Sequence, residues 1–281
     1  MASASRRPAR AEFLHAAEVS ELPLWLSLAI KVVFAATVVV SATAAAEKSG
    51  PLIAGLIIAM PLSIGPTYVM LALTTSPQFV AASALGSLGA NAAVAVFAVV
   101  YVALAGRVPM PLSLAPALLA WFGCGWLLPR WSIAALPLLA ISTLALGGAV
   151  LLTRHALAGG KLLAGGKRWY DLPLRALFVG LLAGTVVTVS QLIGPDWTGL
   201  LAAFPLVLTT SIILMTPRVG AAATAAAMAT AVQGIFIYPP ALFLIHRYCV
   251  EWGVWWAFLA ALVTIVAWAG LVYAWRTSRR G

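Results

Sequence analysis

Long apolar stretches separated by short polar connections make up most of the chain. Each stretch reaches roughly 20 residues, the length that a helix needs to cross the hydrocarbon core of a bilayer, and none has the alternating pattern of a barrel strand. The pattern predicts an all-α integral membrane protein with about nine transmembrane helices. The predicted spans are residues 22–46, 51–73, 78–105, 110–128, 132–153, 174–193, 196–216, 219–246 and 251–275.

The composition supports this class and excludes a water-soluble globule. Hydrophobic residues make up 63% of the 281 positions and charged residues 9%, and the mean hydropathy is +1.04. This leaves too little polar surface to cover a soluble domain. The formal net charge of +10 comes from basic residues in loops and tails beside the spans, where such residues set topology. The predicted partner is therefore the lipid bilayer, and nucleic acid is not predicted.

The first apolar stretch is predicted to be a retained helix. Residues 41–46 have the small side chains of a signal-peptide cleavage site, but three glutamates precede the stretch and Lys31 interrupts it. With the amino terminus outside, eleven of the 17 Lys and Arg residues fall on the cytoplasmic side. This bias favours a cytoplasmic carboxyl terminus.

A segment at the start of the second span recurs 144 positions later, at the start of the seventh. Residues 50–61 read GPLIAGLIIAMP and residues 194–205 read GPDWTGLLAAFP, without a gap. In the same register, the cation Lys31 of span 1 matches Arg175 of span 6. The residues identical in the two segments are Gly50 and Gly194, Pro51 and Pro195, Gly55 and Gly199, Leu56 and Leu200, Ala59 and Ala203, and Pro61 and Pro205.

These matches predict a duplicated unit of four helices. Five crossings separate the starts of the two units, because span 5 is left over as a linking helix, so the units enter the membrane from opposite faces. Such inverted repeats pack around a pseudo-two-fold axis and place equivalent residues near one central site, which indicates transport. The predicted organisation is an amino-terminal tail (1–21), repeat A (22–129), linking span 5 (130–153), a basic linker loop (154–173), repeat B (174–275) and a basic tail (276–281).

Helix breaks inside spans 2 and 7 are the first candidate binding positions. Proline removes a backbone donor and clashes with the preceding turn, and a nearby glycine relieves the crowding. In transporters the peptide groups freed in this way bind solutes, whereas elsewhere neighbouring helices satisfy them, and the sequence leaves both interpretations open. The break candidates are Pro61, Gly65, Pro66 and Pro205, and their polar neighbours are Ser63, Thr67, Thr209, Thr210 and Ser211.

Polar side chains inside the spans are the second group of candidates. Asn91 and Gln233 lie near the centres of spans 3 and 8, where an amide is expected to contact either another helix or a solute. Lys31 and Arg175 either extend to the headgroups or face inward, where they would select an anionic solute. No carboxylate lies deep in a span, so Glu47, at the end of span 1, is the nearest candidate for ion coupling.

Enzyme activity, metals and cofactors are not predicted. The three histidines lie in the tail, the linker and a span edge, and no nucleophile stands beside a base. The two cysteines, Cys124 and Cys249, have neither a metal-binding spacing nor the pattern of a disulfide framework.

The first two helices of each unit resemble those of the GlpM-like family of four-helix bacterial membrane proteins. That family has a Lys early in helix 1, then an Ala-Gly pair and a Pro in helix 2. The residues here that match this pattern are Lys31 and Arg175, Ala54-Gly55 and Thr198-Gly199, and Pro61 and Pro205. The threonine at 198, the linking span and the tandem arrangement depart from it. The resemblance implies a bacterial inner-membrane location and a link to exopolysaccharide production.

The sequence is compatible with two functions. The first is a secondary transporter or facilitator of a small polar or anionic solute, working by alternating access, in which the four polar span residues converge on one cavity. The architecture is similar to that of drug/metabolite transporters, although no motif is shared. The second is an accessory subunit for exopolysaccharide or envelope lipid assembly, or a lipid flippase, with a packed centre and an apolar groove open sideways. A homo-oligomer is compatible with both.

Overall fold

Helices make up the described part of the computed structural model, which comprises residues 23–48, 64–127, 133–159 and 170–278. No β-strand occurs within these ranges. The helices are α1 (Leu24–Lys48), α2 (Ile64–Thr74), α3 (Pro77–Leu104), α4 (Met110–Leu127), α5 (Ala135–Gly159), α6 (Asp171–Ala202), α7 (Leu206–Ile235), α8 (Tyr238–Tyr248) and α9 (Val254–Ser278).

The outer surface of the helices is apolar. Leu192 is 86% exposed, Leu144 74% and Leu119 70%. Within the described ranges, six helical segments are long and apolar enough to cross a membrane. Soluble proteins rarely expose apolar surface on this scale, whereas lipid solvates it and leaves the backbone polar groups to bond within the helices. The chain is therefore a helical multi-pass membrane protein.

The described helices follow most of the predicted spans but differ from them at some ends. Helices α3 and α4 agree with spans 78–105 and 110–128 to within one residue. Helix α5 continues past the predicted end at 153 to Gly159, so Arg154 and His155 are helical and not part of a loop. Residues 151–158 are mostly Leu, Ala and Arg, which favour a helix, and this explains the extension. Most of span 2 lies outside the described residues.

Two glycines turn the chain sharply inside α6 and α7. Gly194 has φ 78° and ψ 169°, and Gly220 has φ 82° and ψ 167°. A side chain at either position would be strained, because L residues with a Cβ rarely adopt this backbone conformation. Helix α6 is consequently two helical pieces, residues 171–193 and 195–202. We call the second piece the α6 tail.

A third interruption separates the α6 tail from α7. Ala203 and Phe204 leave the helical conformation, and Pro205 is the N-cap of α7. Proline has no N–H for a helical hydrogen bond, so the ladder cannot continue through this position. The predicted span 196–216 is therefore not one continuous helix, and its break falls at Pro205.

The predicted span 219–246 is also interrupted and is not the continuous helix expected from its apolar residues. Residues 221–235 and 238–248 are helical, and a turn at Phe236 and Ile237 separates them. The next two prolines, Pro239 and Pro240, explain the interruption because they cannot donate to the carbonyls four residues earlier.

Helix α3 is the centre of the fold. It is the most buried of the long helices and contacts α4, α5, α6 and α8. Many of its buried residues are Ala, Gly and Ser, which let neighbouring backbones approach closely. A Cβ built on Gly199 in the α6 tail would overlap the carbonyl oxygen of Ser83, and one on Gly86 would overlap that of Asp196. From the other side, the Ser142 hydroxyl of α5 donates to the Leu88 carbonyl at 2.5 Å.

Helices α1 and α6 pack antiparallel. The Lys31 ammonium contacts Thr188, the Val32 carbonyl lies against Gly180, and Val39 joins Ala176 and Val179 in a small cluster. As the residue number increases along α1, the number of the residue it contacts on α6 decreases. The first helices of the two predicted units therefore run in opposite directions.

The tight contact at Gly199 predicts a severe effect of a single methyl group. We expect Gly199→Ala to destabilise the protein by about 3 kcal/mol or more, because backbone atoms of α3 would have to move. Gly148→Ala on α5 is the matched control, since a Cβ there meets nothing within 4 Å. We expect the control to be neutral or slightly stabilising because alanine favours a helix. Thermal unfolding in detergent measures both, and equal melting temperatures would contradict the close packing described.

Candidate functional site

A stripe of three polar side chains lies on the central helix α3. Ser83, Ser87 and Asn91 are spaced four residues apart and so lie on one face. None is more than 2% exposed. The stripe meets Tyr68 of α2 and Gly199 of the α6 tail, so these polar groups are enclosed by apolar helices.

The hydroxyl of Ser87 links α3 to two other helices. It donates to the Gly199 carbonyl at 2.6 Å, and its oxygen lies 2.8 Å from the Tyr68 hydroxyl. A serine hydroxyl has one hydrogen, which the Gly199 carbonyl takes, so Tyr68 must donate the second bond. This short chain of hydrogen bonds fixes the α6 tail against α3.

The two central amides have different environments. Asn91 is 2% exposed, and its Nδ2 donates to the Ser87 carbonyl of its own helix at 3.0 Å. Gln233 is half-buried in the last turns of α7. The described hydrogen bond of Asn91 lies within its own helix, so it is neither of the two contacts considered from the sequence, another helix or a solute.

The interruption before α7 carries a group of buried hydroxyls. Thr209, Thr210 and Ser211 are between 7% and 9% exposed, in the first turns after Pro205. The Thr210 hydroxyl donates to the Leu206 carbonyl at 2.8 Å, in the usual helical manner. The hydroxyl of Thr209 is buried and has no hydrogen-bond partner.

Three residues with a buried polar atom that lacks a hydrogen-bond partner lie along the α6 tail and the interruption after it. The carbonyl of Ser83 lies against Gly199 in the α6 tail. The Trp121 ring packs edge-to-face on Phe204, with the ring centroids 5.0 Å apart. Thr209 lies in the first turn of α7. Each such atom costs about 1–3 kcal/mol unless a ligand or water satisfies it. The unsatisfied atoms among the described residues are Ser83 Oγ, Trp121 Nε1, Thr209 Oγ1 and Arg175 Nε, and the first three border the α6 tail or the interruption after it.

The structure does not bring Lys31 and Arg175 together. The Lys31 ammonium donates to the Thr188 hydroxyl at 3.2 Å. Thr188 is 13 residues beyond Arg175 on α6, which corresponds to roughly 20 Å along a helix. The two cations are far apart because α1 and α6 pack antiparallel, so that Lys31 and Arg175 lie towards opposite ends of the helix pair.

The remaining candidates are divided between described and undescribed segments. Thr67 is 1% exposed on α2, and Gly65 and Pro66 precede it on the same helix. Ser63 and Pro61 lie outside the described residues, as does the whole first copy of the repeated segment. Glu47 lies near the end of α1, and its side chain is not among those described.

Three residues that contact the α6 tail or the interruption after it were not among the candidates from the sequence. Ser83 and Ser87 were detectable, because the i, i+4, i+8 spacing with Asn91 puts a polar stripe on an otherwise apolar helix. Trp121 was not, since a tryptophan in a span is usually an anchor near the membrane surface. Its full burial depends on Phe204 and Phe122, whose rings pack around it.

An apolar cavity of about 390 Å³ opens at the side of the helix bundle. It lies between α4 and the α6 tail. Its lining residues are Leu119, Phe122, Gly123, Trp126, Trp197, Leu200 and Leu201.

Comparisons with known proteins identify no relative of this chain. No family model, no curated protein and no solved structure matches the chain. The resemblance to GlpM-like proteins therefore stays a prediction. Within the described ranges, no group of three or more His, Cys, Asp or Glu residues is placed to hold a metal ion.

The hydrogen bonds of Ser87 predict a measurable loss on substitution. We expect Ser87→Ala to lower the free energy of unfolding by about 1 kcal/mol, because the Gly199 carbonyl and Tyr68 hydroxyl both lose a partner. Thr153→Ala is the control, as this buried hydroxyl bonds only to the Ala149 carbonyl of its own helix in the described contacts. Unfolding in detergent should separate the two variants, and an equal loss would argue against a special role for Ser87.

Proposed function

We propose that this chain is a secondary transporter or facilitator of a small polar or anionic solute, which binds beside the interruption at Ala203–Pro205. The observation that carries the proposal is that three residues with an unsatisfied polar atom, Ser83, Trp121 and Thr209, contact the α6 tail or the interruption or directly follow it. A folded membrane protein retains such unsatisfied groups at a cost, and a solute with hydrogen-bonding groups would offset it.

The chemistry of these groups favours a solute that accepts hydrogen bonds. The Trp121 indole can only donate, and the Ser83 and Thr209 hydroxyls can donate or accept. The amino terminus of α7 also begins at the interruption, and a helix amino terminus carries a partial positive charge. A carboxylate, a phosphate or a neutral oxygen-rich solute fits this set of donors.

Antiparallel pairs of equivalent helices support the inverted repeats in this proposal. Helices α1 and α6 would be the first members of the two units, and they pack in opposite directions. Helix α8, which forms the end of predicted span 8, also runs antiparallel to α3, the predicted counterpart of that span, because His246 Nδ1 lies 2.9 Å from the Ala81 carbonyl and Cys249 lies beside Pro77. The linking helix α5 contacts both α3 and α7, as expected for an element between two related units.

The glycine turns offer a means of alternating access. Gly194 and Gly220 bound the residues that run from the α6 tail through the interruption into α7. We infer that this stretch tilts about its two glycines, exposing the unsatisfied groups first to one side of the membrane and then to the other.

Uptake by purified protein in liposomes tests this function. A panel of carboxylates, phosphates and zwitterions should contain a solute that enters faster than into empty liposomes. Thr209→Val keeps the shape of the side chain but removes its hydroxyl, and we expect about tenfold slower uptake at low solute concentration. Thr153→Val is the matched control, since this buried threonine lies on α5 and bonds within its own helix.

The amides are tested in the same liposome assay. Unchanged uptake by the double variant Asn91→Ala, Gln233→Ala would remove both from the proposed site while leaving the Thr209 result intact. If no solute of the panel enters, or if Thr209→Val and Thr153→Val behave alike, the proposed binding position is wrong.

The lateral cavity favours a second candidate function, a lipid flippase or an accessory subunit for envelope lipid or exopolysaccharide assembly. The cavity lies at the side of the bundle, and its lining side chains are apolar or aromatic. An acyl chain, and not a polar solute, fits such a surface.

Filling the cavity distinguishes the two functions. Gly123 lines it and has open space around its Cα, so Gly123→Trp should occupy the cavity without disturbing the helix packing. If the protein is a flippase, we expect this variant to slow the movement of fluorescent lipid between leaflets severalfold. Gly270→Trp on α9, where a side chain also meets nothing within 4 Å, is the control. Unchanged lipid movement in Gly123→Trp would exclude this use of the cavity.

A further inference from the structure

A cluster of charged side chains lies where α6 begins, separate from the interruption at Pro205. Arg218, near the end of the first half of α7, forms two hydrogen bonds to Asp171, at 2.6 Å and 2.7 Å. The Arg218 guanidinium also lies over the Tyr170 ring, 5.4 Å from its centroid. This fork engages both carboxylate oxygens of Asp171 and fixes the start of α6 to α7.

Arg175 lies one helical turn after Asp171, and no paired hydrogen bonds like those of Arg218 are described for it. It is half-buried, and its Nε is buried without a hydrogen-bond partner. Arg218 and Arg175 together carry two positive charges against the single negative charge of Asp171. A buried guanidinium nitrogen without a hydrogen-bond partner is costly, and among these three side chains the positive charge exceeds the negative by one, so an anion would complete the arrangement.

We propose that Arg175 binds the phosphate of an anionic phospholipid, with the Asp171–Arg218 pair holding the site in shape. The planar guanidinium of arginine presents paired donors that match the oxygens of a phosphate. The next two turns of α6 expose Phe178 by 43% and Leu181 by 42%, which provides apolar surface for the acyl chains close to Arg175 along the helix. Phosphate binding and chain binding therefore meet at one place on α6.

Lipid binding by the purified full chain tests this site. Phosphatidylglycerol and phosphatidylcholine with the same acyl chains are titrated into detergent-solubilised protein, and bound lipid is counted by native mass spectrometry. We expect the wild-type protein to bind phosphatidylglycerol at least tenfold more tightly, and Arg175→Gln to lose this preference. Arg154→Gln is the matched control: it removes the same charge from an exposed arginine near the end of α5, which the chain joins to the start of α6.

Further measurements separate the alternatives. Inorganic phosphate should bind weakly and should not displace the lipid, and its binding as tightly as the lipid would assign the site to a free anion and overturn the proposal. Equal affinity of the wild-type protein for the two lipids would overturn it as well, whether or not Arg175→Gln folds. Arg175→Lys keeps the charge but not the fork, and we expect it to retain only part of the preference. The lipid-binding experiment does not measure solute uptake, so its result is independent of the proposed transport.

Discussion

The close contact between α3 and the α6 tail is the interaction on which the rest of the described structure depends. Helices in lipid gain little from burying apolar side chains against one another, so they associate where small residues let backbones approach and polar groups bond across the gap. Gly199 lies against Ser83, and the Ser87 hydroxyl reaches the Gly199 carbonyl at 2.6 Å. Because α4, α5 and α8 also pack on α3, this one contact determines where the interrupted chain stands relative to most of the bundle.

The interruptions in the second half of the chain follow from a few residues that a continuous helix cannot accommodate. Gly194 and Gly220 take backbone conformations that other residues avoid, and Pro205, Pro239 and Pro240 remove donors from the hydrogen-bond ladder. In a bilayer the released peptide groups must find partners inside the protein or in a ligand. Ser83 contacts the α6 tail, Trp121 contacts Phe204 in one of these interruptions and Thr209 follows it, and the unsatisfied atoms of these three residues are the basis of the transport proposal.

Arg218 and Arg175 lie in different environments, and the position of each in the fold determines what its charge does. Arg218 is fully engaged with Asp171 and Tyr170, and its role is to join α6 to α7. Arg175 lies one turn away with a buried, unpaired Nε, beside apolar side chains that face outward. The matching of Lys31 and Arg175 in the repeat suggested a shared cavity, but antiparallel packing separates equivalent residues near helix ends and brings together only those near the crossing point.

The sequence by itself determined the class of protein and most of the helix positions, because long apolar stretches have few other ways to satisfy their backbone than as membrane helices. It also indicated the interruption at Pro205, since proline acts on its own helix. Only the tertiary structure decided which polar groups are satisfied. The partner of Ser87 lies 112 residues away, and the burial of Trp121 depends on Phe204 in another element. Such pairings depend on the helix order and rotation in the bundle, which apolar patterns do not specify because lipid and protein interior are equally apolar.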